Sequence, residues 1–313
     1  MNYADCAGLL LSRDNYLLVT HKRPDGDTLG SAAALCHALR RLGKTAYLFP
    51  NTEVTENYLP LVEELYAPAG FTSEHHISVD VAEMSMAALD YTGDIFLKID
   101  HHIPRGDMGQ YQLIHPECAA CGEIVLQLIE SMGLVPDRDE ANMLYTAVST
   151  DTGCFRYANT VGDTFRAAGH LVDLGAELPR LNKLYFRTKT RARLSLEGMV
   201  YSTLRSERDN AINIAVITLD MLERSSVVEN DLDDLANLAG QVAGNRVAIT
   251  VREICREPER SKVSVRTDGS VNASEVCARF GGGGHRMAAG CEFSLSPEQT
   301  AQAVLNAVEE VWP

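Results

Sequence analysis

The chain has 313 residues, 45% of them hydrophobic and 23% charged, which suits a globular protein with a large core and two domains rather than one. Its apolar runs are too short to span a bilayer and no basic segment precedes an apolar core at the N-terminus, so a cytoplasmic protein without membrane contact is expected. With 28 Lys and Arg against 43 Asp and Glu, a net charge of −15, the overall field repels nucleic acid. That argues against a long duplex as partner and leaves phosphate handling to a local site with metal ions.

Residues 4–13 have the pattern of a short amphipathic helix, and residues 17–20 read as a strand. His21, Asp25 and Asp27 follow at once, in a stretch that includes Pro24 and Gly26. Residues 29–42 have helical periodicity and end at Gly43, a suitable C-cap. A strand is expected over 45–49 and a helix over 54–65, in spite of Pro60. The short strand 77–81 carries Asp80, and the clearer strand 95–99 runs straight into Asp100-His101-His102. Residues 112–114 read as a further strand, and 122–132 and 139–150 as helices, the second ending at Asp151. Strands alternating with helices imply an α/β fold with a parallel sheet covered by helices on both faces. The eight cysteines are scattered, as expected of reduced thiols, and Cys118-x-x-Cys121 lacks the partners of a zinc site. It reads as small residues packing at a helix start.

After Gly175 the character changes. Residues 180–193 carry Arg180, Lys183, Arg187, Lys189, Arg191 and Arg193 with no acid. We place the interdomain connection here, with a helix through 194–204, and read the charges as a solvated face because no aromatics interleave with them. The smaller α/β domain has expected strands at 212–218, 247–254 and 262–266 and helices at 231–243, 273–280 and 297–311. From Arg246 to Arg286 there are eight basic against five acidic residues, a local positive stretch. It contains Gly281-Gly282-Gly283-Gly284-His285, followed by Ala288-Ala289-Gly290. The expected division is 1–185 for a metal-binding domain, 186–208 for a helical connector and 209–313 for a substrate-binding domain.

His21, Asp25, Asp27, Asp80, His101 and Asp151 all fall at strand or helix ends, where open parallel sheets keep their ligand sites. Each has an ordinary explanation: a strand-end acid, a helix cap, a satisfied core histidine. All six at one sheet edge do not. Four converging carboxylates repel one another and raise each other's pKa, and two divalent cations would cancel that charge. Mixed oxygen and imidazole donors suit Mn²⁺ better than a pure Mg²⁺ site. A bimetallic pair is a common arrangement for phosphoester hydrolysis.

His21-x-x-x-Asp25-x-Asp27, Asp80, Asp100-His101-His102 and Asp151 resemble the four signatures of the DHH phosphoesterase superfamily. The glycine-rich stretch with Ala288-Ala289-Gly290 resembles the motif of the DHH-associated C-terminal domain. The resemblance covers nearly the whole chain and is nearest to the two-domain nanoRNase/pAp phosphatase subgroup. It implies two Mn²⁺ ions, with Mg²⁺ or Co²⁺ as substitutes. One would be held by His21, Asp25 and Asp80, the other by Asp27, Asp80, His101 and Asp151, with Asp80 bridging. It implies catalytic roles for Asp100, which orients a histidine, and for His102, which meets the scissile phosphate or assists the leaving oxygen. Arg156, Arg266, Gly282, Gly283, Gly284 and His285 would bind substrate, in a catalytic cleft between domains that opens and closes about residues 183–204. Two departures stand out: Val81-Ala82-Glu83 after Asp80, and Ile103-Pro104-Arg105-Gly106-Asp107 after the histidines, where Arg105 would add a phosphate contact.

The expected activity is hydrolysis of short oligoribonucleotides as an exonuclease, together with adenosine 3′,5′-bisphosphate (pAp). The alternative is a phosphodiesterase for cyclic di-AMP or its linear product pApA. A catalytically inactive nucleotide sensor is a weaker third reading, because all six donors are present. Pyrophosphatase and long-strand exonuclease readings are weaker still: the first lacks its second-domain signature, and the second needs a larger, less acidic chain. The partners are thus short RNA or mononucleotide phosphates, and a homodimer is compatible with the sequence.

Overall fold

The structure, a computed structural model, describes residues 1–103, 106–228, 232 and 235–313. Arg105, and Asp231, Asp233 and Asp234 of the expected helix 231–243, lie outside the described residues. The chain divides into two compact units, Met1–Thr188 and Lys189–Pro313. No described helix is long and apolar enough to cross a membrane.

The first unit is built on five parallel strands, β1 (Tyr16–Val19), β2 (Ala46–Leu48), β3 (His75–Val79), β4 (Leu97–Asp100) and β5 (Tyr111–Ile114). Their order is β2-β1-β3-β4-β5. Chain direction across the sheet reverses between β1 and β3, and side chains just past those two strands face the crevice where ligands bind in such sheets. Tyr16, Leu18, Ile77, Val79, Leu97 and Ile99 alternate toward the main core with α1 (Tyr3–Leu11), α2 (Gly26–Arg41) and α4 (Cys121–Ser131). The other face carries a smaller cluster of Val19, Val81, Ala87 and Ile95, joined by Phe49, Tyr91 and Met108. Helix α5 (Arg138–Asp151) packs on α2 and α4, and α6 (Gly162–Asp173) on α5.

Helix α2 is buried along nearly its whole length, which its run of Ala and Gly permits. It starts at Gly26, earlier than expected, because Asp25 caps it by accepting from the Asp27 and Thr28 amides at 3.0 and 3.2 Å. The expected helix 54–65 shrinks to α3 (Leu59–Val62) and a 3-10 turn, Glu63–Leu65, consistent with Pro60 sitting at a helix start. Helix α7 (Leu178–Asn182) and a wide turn, Lys183–Arg187, complete the unit.

The second unit opens with α8 (Arg191–Ser202) and holds a six-stranded mixed sheet. Its strands are β6 (Arg205–Glu207), β7 (Ile212–Ile217), β8 (Val247–Arg256), β9 (Glu259–Thr267), β10 (Gly283–His285) and β11 (Ala288–Phe293), in the order β10-β11-β9-β8-β7-β6. Among these described strands only β7 and β8 pair in parallel. One face buries Val247, Ile249, Val263 and Val265 under α10 (Ala273–Ala278) and α11 (Pro297–Glu310). The other covers Ala215, Ile217 and Ala248 with Leu196 and Val200 of α8. The described part of the expected helix 231–243 forms two 3-10 turns instead, Leu235–Asn237 and Ala239–Gln241. The helix α9 (Leu219–Ser225) lies in a stretch for which no element was expected.

Candidate metal centre

The six expected donors come together. The chain leaves β1 through buried Thr20, and His21 places its Nε2 3.5 Å from Asp25 Oδ1 and 3.6 Å from Asp80 Oδ2. His21 Nδ1 lies 2.8 Å from the Lys22 carbonyl. A proton on Nδ1 would donate to that carbonyl and leave Nε2 a lone pair for a cation.

Asp27, fully buried in the first turn of α2, accepts from the Ser31 hydroxyl at 3.0 Å and from two amides at the start of α4, Cys121 at 2.7 Å and Gly122 at 3.0 Å. The positive end of α4 thus faces this carboxylate. That is the structural use of the Cys118-x-x-Cys121 stretch: its second cysteine opens α4, buried, and no zinc ligand set surrounds the pair among the described residues.

Asp80 follows β3 with φ at +59°, a left-handed conformation that Asp tolerates better than most residues. Its amide donates to the Ile99 carbonyl at 2.9 Å, which fixes the carboxylate at the switch point. The two oxygens diverge: Oδ2 faces His21, while Oδ1 lies 3.5 Å from His101 Nε2 and 3.4 Å from His102 Nδ1. Oδ1 is buried and has no hydrogen-bond partner among the described residues. His101 Nε2 is also 3.8 Å from Asp27 Oδ2 and 3.7 Å from Asp151 Oδ2.

Two three-residue groups result, His21–Asp25–Asp80 and Asp27–His101–Asp151, each with its donor atoms within 4.8 Å of one another. Asp80 also groups with His101 and His102, so it stands between the two. Asp151 reaches the site because α2 and α5 touch almost backbone to backbone. A Cβ on Gly26 would lie 2.4 Å from Thr150 Oγ1, and one on Gly30 2.3 Å from the Met143 carbonyl oxygen.

Electrostatics state the same case. Burial pushes Asp27 well above the usual carboxylate range, with Asp151 and Asp25 adding to it; burial followed by Asp27 and Asp25 does the same to Asp80. Asp151 is raised by burial, against the pull of His101. Carboxylates so placed resist ionisation unless cations join them. An orphaned oxygen on Asp80 and a mixed oxygen–imidazole donor set fit a pair of divalent cations.

Asp100 is built differently. Burial would raise it, but His102 and Lys98 outweigh burial and hold the carboxyl at about 2. His102 donates to Asp100 Oδ1 from its amide at 3.0 Å and holds Nδ1 at 2.8 Å, which turns Nε2 outward on a side chain 50% exposed. Lys98 is buried, with Nζ 3.0 Å from Asp100 Oδ2 and 2.7 Å from the Ala82 carbonyl oxygen. Sequence reasoning missed this lysine; the signal was a lone charge inside an apolar strand. A second cluster, His37 with Asp137 and Glu140, also has ligand spacing, but Arg41 pairs with both acids and makes it an ion-pair clamp between α2 and α5.

Past Asp151 the chain turns through Gly153, Cys154 and Phe155, all at positive φ, and Arg156 emerges exposed with Nε on the Gly153 carbonyl at 2.6 Å. In the second unit, Gly283, Gly284 and His285 of β10 form a hairpin with β11, and Gly282 leads into it. Their glycines differ in need. A Cβ on Gly282 would lie 2.2 Å from the Gly290 carbonyl oxygen, and one on Gly284 2.5 Å from that of Ala288, whereas one on Gly283 would meet open space. Arg266, on β9, sits in register with Ala288.

Residues 15–148 match the DHH family, N-terminal domain, and residues 211–312 match the DHHA1 domain. The bifunctional oligoribonuclease and PAP phosphatase NrnA of Thermus thermophilus is 33% identical over 300 residues, covering 94% of this chain and 89% of that protein. The cyclic-di-AMP phosphodiesterase GdpP of Geobacillus thermodenitrificans is 24% identical over 317 residues, 91% of this chain and 46% of that protein. In fold, an exopolyphosphatase-related protein from Bacteroides fragilis superposes with a TM-score of 0.86 at 23% identity, covering 98% of this chain and 96% of that one. With both of its units matched and a full-length relative at this identity, the chain belongs to the DHH family, as a metal-dependent phosphoesterase that carries a DHHA1 domain.

Proposed function

We propose that the protein is a Mn²⁺-dependent hydrolase of short oligoribonucleotides and of pAp. The observation that carries this reading is the pair of donor groups meeting at Asp80, whose buried Oδ1 has no other partner among the described residues. The activity named for the Thermus thermophilus relative supports the choice of substrate.

His21, Asp25 and Asp80 would hold one ion, and Asp27, Asp80, His101 and Asp151 the other. Bound there, the ions would supply an activated water and charge neutralisation at the phosphate. The chain's own residues supply the rest. Asp100, kept ionised by Lys98 and His102, holds the His102 ring by Nδ1. His102 Nε2 is then free to meet a phosphate oxygen or to pass a proton to the departing sugar oxygen. Arg156, Arg266 and His285 bind the anionic ends of the substrate, and Gly282, Gly283 and Gly284 let it approach the backbone.

Phosphodiester hydrolysis of cyclic di-AMP or pApA is the second reading, favoured by the likeness to GdpP. Product analysis with Mn²⁺ on pAp, di- to pentaribonucleotides, pApA and cyclic di-AMP separates the two. Preferred turnover of pAp and the shortest oligoribonucleotides supports the proposal, and preferred turnover of cyclic di-AMP replaces it with the second reading. No turnover of any of them overturns both.

A further inference from the structure

The cross-strand register of the second unit sorts one sheet face into rows. His285, Ala288 and Arg266 form the first, Gly283, Gly290, Ser264 and Thr250 the second, and Glu292, Lys262 and Arg252 the third. This is the face opposite α10 and α11, whose core takes the alternate residues Val263, Val265, Ala289 and Cys291. On β7 and β8 the same face is covered within the unit, burying Ala215, Ile217 and Ala248. On β9, β11 and β10, and at Arg252 beyond the covered part of β8, it is accessible: Lys262, Gly283 and His285 are exposed, and Arg252, Ser264, Arg266 and Gly290 half-buried.

Charge on this face is unbalanced. Glu292 is committed to Arg260 at 2.7 Å. Arg252, Lys262 and Arg266 have no acidic partner among the described residues, in a chain whose net charge is −15. Arg266 and Lys262 are four residues apart on β9, roughly 13 Å, so the first and third rows stand about two nucleotide steps from each other at most. Gly283, Gly290 and Ser264 between them raise no side chain large enough to block a nucleoside.

We propose that Arg252 and Lys262 form a second phosphate subsite. It holds a later phosphodiester of the same short oligoribonucleotide whose terminus Arg266 and His285 grip. The inference rests on the functional reading above and gives it a length preference. The two phosphates of pAp sit on one nucleoside, too close together to reach from the first row to the third. A triribonucleotide with a 5′-phosphate has one more, and the third row offers it a guanidinium fork and an ammonium.

The test compares kcat/KM for 5′-phosphorylated pApApA and for pAp in the parent, in Arg252→Ala/Lys262→Ala and in Lys262→Glu, with Mn²⁺ and over a range of salt. The ratio of kcat/KM for pApApA to that for pAp is expected to fall about tenfold in the double variant, carried by KM. The salt slope for pApApA should flatten by about 0.7 for each phosphate that no longer meets a cationic side chain. Equal losses on both substrates, or an unchanged ratio, overturn the subsite. If the parent hydrolyses neither substrate, the functional reading fails on its own. The subsite is then decided by the Kd of pApApA, tenfold weaker in the double variant if it exists and unchanged if it does not.

Discussion

Gly30→Ala probes how α2 and α5 bring Asp27 and Asp151 to one place. The added Cβ would lie 2.3 Å from the Met143 carbonyl oxygen and 3.2 Å from Ala147 Cβ, so the helices must part by roughly an ångström to restore ordinary van der Waals separation. Overpacking of this kind costs about 1–3 kcal/mol, and Ala returns about 0.5–1 kcal/mol of helix propensity over Gly. The net, at most about 2.5 kcal/mol, lowers Tm by up to roughly 10 °C for a unit of this size. Activity suffers more. Asp27 lies one turn before Gly30, and Asp151 one turn after Ala147, so the same separation displaces one donor against the other. A misplacement of about 1 Å in a reacting constellation costs on the order of 10²-fold in rate. The assay is a thermal melt beside Mn²⁺-dependent pAp hydrolysis and calorimetric Mn²⁺ titration. A folded variant with a small Tm loss, weakened Mn²⁺ binding and a hundredfold rate loss is expected. Parental Tm and parental rate together would refute the close helix approach as the device that assembles the site.

Further expectations follow from the same geometry. Asp80→Asn should abolish high-affinity Mn²⁺ binding, seen by calorimetry, and reduce turnover by several orders of magnitude, since both donor groups lose their common member. His37 is raised above its ordinary value chiefly by its hydrogen bond to Glu140. Its contribution to stability is therefore complete below its unfolded value and fades as pH rises through the higher folded one. The Tm gap between parent and His37→Gln should accordingly be wider at pH 6 than at pH 9, and a gap independent of pH contradicts the clamp. Gly283→Ala should keep the parental Tm while raising KM, because its Cβ meets open space. Gly284→Ala, at φ +148° and against the Ala288 carbonyl, should lower Tm. Melts and steady-state kinetics on the pair distinguish a substrate role from a purely structural one.

Much of the centre was legible because its donors follow apolar strands directly. His21 after β1, Asp80 after β3 and the His101–His102 pair after β4 are strand-end residues, and strand ends are where a parallel sheet gathers side chains. What escaped was tertiary. Lys98 alternates to the less covered face of β4, and its pairing with Asp100 depends on burial that a sequence does not display. The reason for Gly26 and Gly30 lies on α5, more than a hundred residues away. Strand β11 was hidden in Ala288-Ala289-Gly290, residues with weak strand preference that pair because Gly282 and Gly284 let the hairpin close. Helix α6 went unassigned although Phe165, Ala168, Leu171 and Val172 recur at helical spacing, a signal that sequence reasoning overlooked, whereas β6 is only three residues long and largely exposed. The expected helix 231–243 failed in its described part because 3-10 turns pack Leu235, Leu238 and Ala239 against the sheet instead.

The most direct measurement is anomalous diffraction at the manganese edge from crystals of the full chain grown with Mn²⁺. Two peaks sharing Asp80 are predicted, one also bound by His21 and Asp25, the other by Asp27, His101 and Asp151. A single peak, or manganese away from these six side chains, would contradict the account.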